Sequence, residues 1–467
     1  MYRNRIAQRR TVLRTAFYAS AAAGLYPLLS ACRNDSGSSS SVPASPSPNP
    51  LISPGAGLTE LNIPLGRLAN ISALGQPDVF TQIAVPAGFA IRAIGTSQLP
   101  VPTPAGVTPL SSYRWHAFPD GGACYAKPDG GWVYTSNSEV PQLPAGGCGA
   151  IGFNRNGEVD SAYPILTRTR QNCAGGKTPW NTWVSCEEVS DGLCYECDPY
   201  SESEGVAKPS LGLFAHEAIA VDPRHNVIYL TEDTGDGRFY RWIADENDIQ
   251  GDGRLKMESG RLQVLNIAGL EDGGYETDDD ALRQLRSVSW KDVVSPEQAQ
   301  PKVRSTIEAS GGRAPGTVFD GGEGLWYYEL PDAVSPGANT PEGGRRDTRG
   351  VVFFTTKGDN RVWALDIEND LLELIFDNSQ IEPDFGDVAN LTVSPWGDII
   401  VAEDPPQSPT SRIMVVLPNR QSLTLVEAFH PGSEITGPAF SPDGSRLYFS
   451  SQRKNGTGET YELRLPD

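Results

Sequence analysis

Three segments far apart in the chain share one plan. Ile219–Asp233 (IAVDPRHNVIYLTED), Leu391–Asp404 (LTVSPWGDIIVAED) and Ala439–Ser451 (AFSPDGSRLYFSS) each run an apolar strand into a Pro-centred turn with Asn or Gly and out along a second apolar strand. Gly350–Asp366 (GVVFFTTKGDNRVWALD) supplies a related hairpin. One hairpin is marginal in water, so a chain that repeats the unit must bury it against further copies. From Leu58 onward short β-branched and aromatic runs alternate with Gly, Pro, Asn and Asp, and helical periodicity is confined to patches such as Asp278–Val293. The expected fold is all-β, with four-stranded blades arranged radially as a β-propeller rather than a sandwich. Long inserted loops, Glu246–Gly274 and Pro331–Arg349 among them, and a few short helices interrupt it, so the blade number is not readable from spacing.

The first residues have another purpose. Arg9 and Arg10, then Val12 and Leu13, an apolar run from Ala16 to Leu29 and LSAC ending at Cys32 read as a twin-arginine signal peptide over residues 1–31 with a lipidation site at Cys32. The apolar run falls short of the ~20 residues a spanning helix needs. Residues 32–57 are a Ser/Pro-rich tether that cannot bury apolar area, and 58–467 form the propeller domain. The protein is expected to be exported by the twin-arginine route, periplasmic, monomeric and membrane-bound only through lipid on Cys32.

Net charge bounds the partners. It is −20, and removal of the signal deletes five further arginines, which argues against nucleic acid or anionic lipid and suits cation binding. Six cysteines remain after Cys32: Cys124, Cys148, Cys173, Cys186, Cys194 and Cys197. Cys194 with Cys197, or Cys124 with Cys148, are possible disulfides in an exported chain. The single C-x-x-C lacks the second one a zinc ribbon requires.

Acid pairs end several of the strands: Glu187-Glu188, Glu232-Asp233 and Glu403-Asp404, with Glu139 as a weaker fourth case. In a propeller, equivalent strand ends point at one central face, where converging carboxylates repel unless protonated or bridged by hard cations, calcium first. The alternative is a set of solvated strand ends. GGKT at Gly175–Thr178 is a phosphate-loop decoy, because Gln171 stands at the first glycine and Pro179-Trp180 would not continue a helix. Asp245–Gly253 lacks the glycine and glutamate of a calcium-binding hand and reads as a solvated turn. Four histidines are too few for a multi-histidine zinc site; His216, beside Glu217, either contacts phosphate or is structural. No Gly-x-Ser-x-Gly elbow occurs, which disfavours a serine hydrolase.

Read in order, Asn172–Glu188 (NCAGGKTPWNTWVSCEE), Leu211–Trp242, Gly316–Tyr327 (GTVFDGGEGLWY), Gly350–Asp366 and Leu391–Asp404 resemble the PhoX-type alkaline phosphatases. The likeness runs from about Arg114 to Asp404 and includes the twin-arginine signal. It implies a six-bladed propeller whose central Ca2+ and Fe3+ ions hydrolyse small phosphomonoesters. It also implies Cys173 as the iron thiolate, with Glu188, Glu217, Glu232, Glu323, Asn390, Glu403 and Asp404 around the metals. An iron–thiolate site loaded in the reducing cytosol must be exported already folded, which is what twin-arginine export does.

Two departures stand out. FDGGEG puts Gly321 and Gly322 where the family's F-x-R-P-E-G block has an arginine, a planar two-pronged phosphate donor that glycine cannot replace. Ala389 replaces an acid before Asn390. Lys177, Arg238 or Arg313 are the substitutes for the arginine, so His216 and Lys177 are the expected phosphate-contacting residues. The competing functions are a metal-binding scaffold propeller and a calcium-dependent lactonase or phosphodiesterase on the same scaffold. A cationic side chain reaching the central pocket discriminates in favour of phosphate.

Overall fold

The computed structural model describes residues 66–102, 113–282, 284–297, 314–330, 348–377, 387–405, 407–417 and 422–466. All of these belong to the compact unit Asn49–Asp467. The signal peptide, Cys32, the tether and Arg313 lie outside the described residues.

The chain is all-β and propeller-like. Its backbone repeats an antiparallel strand pair: Pro119–Ala126 with Trp132–Ser138, Asn172–Lys177 with Trp183–Glu187, His216–Asp222 with Val227–Glu232, Gly322–Glu329 with Gly350–Thr356, Val388–Val393 with Ile399–Glu403, and Ile435–Phe440 with Arg446–Ser451. The turn chemistry read from sequence has a backbone cause. Asn226, Asn360, Gly397 and Gly444 sit at φ of 57°, 56°, 92° and 71°, the left-handed region that Gly and Asn tolerate.

The first strands of these pairs touch their neighbours in a closed cycle, the last, Ile435–Phe440, lying against Pro119–Ala126. Such close approach needs glycine at the crossings: a Cβ on Gly176 would meet Ile219 O at 2.1 Å, and one on Gly324 would meet Leu391 N at 2.2 Å. The Cys-Ala-Gly-Gly run therefore serves contact between neighbouring sheets.

Further strands build outward from each pair into sheets of four, four, four, five and nine strands. The nine-stranded sheet is two runs joined at their outer edges, where Arg286 pairs with Leu372 and Ser287 with Leu371. The sheet holding the last pair is completed from the other end of the chain, Ala90–Thr96 pairing with Glu459–Arg464. Apolar side chains fill the wedges between adjacent sheets: Phe153 packs on Tyr448 at 5.2 Å, and Tyr134 stacks on Tyr448 at 5.0 Å.

Three expectations change. Among the described residues of Asp278–Val293 only Asp279–Leu282 is helical; Arg286–Asp292 is a strand, because pairing with Gly260–Ile267 outweighs the local helical pattern. Neither expected disulfide has its partners together. Cys194 and Cys197, three apart on one strand, face different wedges, as do Cys124 and Cys148. Cys186 and Cys194 are the pair in register, as free thiols with their sulfurs 3.5 Å apart. In the acidic Asp245–Gly253 turn, Asp248 is buried and accepts the N–H groups of Met257, Glu258 and Ser259.

Candidate functional site

Each of the paired first strands carries a register shift near its start. A bulge leaves a residue out of the ladder and re-aims its side chain. In five of the pairs the residue after the first paired position is Asp120, Cys173, Glu217, Glu323 or Ala389. The second strands deliver, one residue past their last paired position, Glu139, Glu188, Asp233, Lys357, Asp404 and Gln452.

These two sets meet at the middle of the ring. Donor atoms of Asp120, Glu139 and Cys173 lie within 4.8 Å of one another, and so do those of Cys173, Glu188 and Glu217, so the thiol is common to both groups. Cys173 Sγ donates to Glu217 Oε1 at 3.3 Å, and Gln452 Nε2 donates to Asp120 Oδ2 at 2.5 Å and Glu139 Oε2 at 2.8 Å. Asn390 Nδ2 approaches Glu217 Oε1 at 3.5 Å, while Asn390 Oδ1 accepts the Gly437 N–H at 2.7 Å. On the other side Lys357 Nζ lies 2.6 Å from Glu323 Oε1 and 3.3 Å from Asp404 Oδ2. Arg453 reaches Asp404 at 3.5 Å and Glu434 at 2.7 Å.

The electrostatics are those of an acid cluster in which carboxylates outnumber cations. Burial first, and then neighbouring carboxylates, hold Asp120 and Glu217 well above the usual carboxylate range. Burial likewise raises Glu323 against the pull of Lys357, and pushes Glu434 up to about 8 despite Arg453. The Cys173 thiol is driven well above its ordinary value by burial and by Asp120, Glu217 and Glu139. Glu217 Oε2 is buried with no hydrogen-bond partner among the described residues. A cation would reverse each of these penalties, and carboxylate oxygens around one thiolate suit a hard ion beside a thiophilic one. The residues present fit a metal centre.

Strand alternation sorts the sequence expectations. Cys173, Glu188, Glu217, Glu323 and Asp404 lie in the cluster, Asn390 borders it, and Asp233 is close enough to raise both Glu217 and Glu323. The first member of each acid pair turns the other way, since successive residues face opposite sides of a strand. Glu187 accepts the N–H groups of Arg170 and Leu193 at 3.1 and 3.2 Å. Glu232 accepts Arg238 N–H and Tyr240 O–H at 3.0 and 3.1 Å. Glu403 forms a two-pronged pair with Arg412 at 2.9 and 2.8 Å.

Neither expected phosphate contact reaches the cluster. His216 is fully buried, donates from Nε2 to Gly212 O at 3.0 Å and stacks on Phe214 at 3.7 Å, a structural role. Lys177 lies four residues beyond Cys173 on one strand, ~13 Å at ~3.3 Å per residue. Its Nζ donates to Cys124 O at 2.8 Å. The Arg238 guanidinium is engaged by the carbonyls of Asp236, Gly237 and Pro315. The cations that do reach the cluster, Lys357 and Arg453, and the acids Asp120 and Glu434 are absent from the sequence expectations. Only Lys357 carried a positional signal: it follows its second strand where Glu188, Asp233 and Asp404 follow theirs.

A closed ring of strand pairs with a buried carboxylate–thiol cluster at its middle defines a propeller-like protein whose axis offers a candidate metal site. The alkaline phosphatase PhoX family model matches residues 135–195 and 190–454, and the chain belongs to that family as a PhoX-like phosphatase. PhoX of Pseudomonas fluorescens, solved with vanadate, a transition state analogue, is 15% identical over 86% of this chain and 98% of its own, with a TM-score of 0.59. A gluconolactonase from Xanthomonas campestris is 11% identical over 85% of this chain and 99% of its own, with a TM-score of 0.39. No curated protein sequence matches the chain. Among the described residues no helix is long and apolar enough to cross a membrane.

Proposed function

We propose that this protein hydrolyses small phosphomonoesters at the axis of a six-bladed propeller, using Ca2+ and Fe3+ held by the carboxylate–thiol cluster. The observation that carries the reading is the arrival of two cationic side chains, Lys357 and Arg453, at an otherwise acidic centre. A lactone has no need of them, whereas a phosphate dianion does. Six blades are supported by the closed cycle of six inner strand pairs and by the division of the nine-stranded sheet into two runs.

In this reading Cys173 holds iron, and calcium is shared among Asp120, Glu139, Glu188, Glu217 and Asp233. The ions supply positive charge to phosphate oxygens and to charge developing in the transition state. Arg453, with planar paired donors, orients the phosphate in place of the arginine that Gly321 lacks. A side chain at 321 would enter beside Lys357, because a Cβ there lies 3.6 Å from Lys357 Cβ and 3.2 Å from Asp233 Oδ1. Glu323 and Glu434 hold Lys357 and Arg453 in position. The twin-arginine signal carries the folded, loaded protein to the periplasm, where lipid on Cys32 anchors a monomer; the acidic chain has no nucleic-acid partner.

The test is phosphate release from an aryl phosphate by the mature protein isolated from an iron-replete export host. It is run with calcium, with chelator, as Cys173→Ala and as Arg453→Met. Turnover should need the ions and Cys173, and Arg453→Met should lower kcat/KM roughly a hundredfold, as loss of one transition-state donor does. A folded, metal-loaded sample without turnover would transfer the assignment to a binding propeller.

A further inference from the structure

The ion pairs described at the centre fall on one side of it. Lys357 bridges Glu323 and Asp404, carboxylates from two neighbouring sheets, and Arg453 spans Asp404 and Glu434. The opposite side gathers Asp120, Glu139, Cys173, Glu188 and Glu217 around one thiol, and there a fully buried carboxylate oxygen, Glu217 Oε2, has no hydrogen-bond partner among the described residues. The centre is therefore divided: one half carries its own positive charge and the other is built to receive it.

Lys357 occupies the position, one residue past the second strand, that an acid fills in four of the other pairs. Its ammonium lies 2.6 Å from one carboxylate and 3.3 Å from another, and its side chain is only 12% exposed. A dehydrated calcium ion bridges carboxylates in the same manner, with oxygens at ~2.3–2.6 Å.

We propose that Lys357 stands in for a divalent cation, so that Glu323 and Asp404 are held by the lysine while metal is confined to the Cys173 side. The inference rests on the metal reading above. It makes Glu323 and Asp404 lysine ligands, against the expectation that all these acids hold metal, and it gives the centre a mixed character of metal on one side and fixed ammonium on the other.

Metal content per chain decides it, measured by plasma mass spectrometry after equilibrium dialysis against calcium, with folding checked by circular dichroism. The samples are mature wild-type protein, Lys357→Met, Lys357→Arg, Glu323→Gln, Asp404→Asn and, as a control, Glu217→Gln. Lys357→Met should gain one calcium per chain, whereas Lys357→Arg, Glu323→Gln and Asp404→Asn should keep the wild-type count and Glu217→Gln should lose an ion. An unchanged count in folded Lys357→Met overturns the proposal, and so does an ion lost from Glu323→Gln or Asp404→Asn. Those two carboxamide variants decide the matter if Lys357→Met does not fold. Wild-type protein that binds no ion would sink the metal reading itself, a result distinct from the others.

Discussion

Replacing Glu217 by Gln keeps the side chain's volume and an acceptor oxygen but removes a charge. Glu217 is fully buried, and burial first, then Glu323, Glu188 and Asp120, push its carboxyl well above the usual carboxylate range when no cation is present. In chelator the substitution therefore removes a carboxyl that burial disfavours as a charge, at near-constant volume, and should destabilise by less than ~1.5 kcal/mol. With calcium the two proteins separate. At a free concentration a hundred times the dissociation constant, an ion that binds only the folded state stabilises by ~2.7 kcal/mol. A variant whose affinity has dropped by a hundredfold or more forfeits most of that. For a folded part of this size a kilocalorie corresponds to about 1–2 °C in Tm, so wild type should gain roughly 3–5 °C with calcium and the variant little. Differential scanning fluorimetry across a calcium series, each point paired with a chelator blank, measures both numbers. Equal calcium-induced shifts in the two proteins would refute the assignment of Glu217 to the cation.

The chelated protein should also respond to pH in one direction. Glu434 has its carboxyl raised from 4.5 to about 8, so its contribution is complete below pH 4.5 and lost as pH rises through 8. At 1.36 kcal/mol per pH unit this amounts to roughly 5 kcal/mol, with Asp120, Glu217 and Glu323 acting in the same sense. Tm in chelator should fall from pH 5 to 9, and added calcium should flatten the fall. Arg412→Ala removes the guanidinium paired with Glu403, 1% exposed, and should cost about 3–5 kcal/mol in urea unfolding, while the double variant with Glu403→Gln recovers part of it. Gly321→Ala should cost about 1–2 kcal/mol, because φ is +70° there and the new Cβ meets Asp233 Oδ1 at 3.2 Å.

The strand–turn–strand units carried the fold class, since their turn residues sit where the backbone needs positive φ. The acid pairs located the site but did not resolve it. A strand's two faces allow only one member of each pair to look inward, and period-two alternation assigns Glu188, Asp233 and Asp404 to the centre and Glu187, Glu232 and Glu403 to local hydrogen bonds and an ion pair. Lys357 was legible by position, since Gly350–Asp366 aligns with the acid-ended hairpins and its lysine falls on their last acid. Asp120 and Glu434 were not, for Asp120 is a single acid inside a first strand's bulge and Glu434 a single acid just ahead of one, and nothing local distinguishes either from a solvated turn. Cys186 and Cys194 oppose each other through cross-strand register, which sequence spacing does not report.

The pairing of Ala90–Thr96 with Glu459–Arg464 sets a timetable for biosynthesis. Ala90–Thr96 leaves the ribosome long before its partner Glu459–Arg464. At ~5–20 residues per second the wait is roughly 20–70 s, during which an unpaired edge is open to misassociation. A chaperone that shields such an edge until translation ends would matter more here than for a protein whose sheets each close locally. A chain broken off before Glu459–Arg464 never completes that sheet, so synthesis through this strand becomes a condition for any later step that accepts only folded cargo.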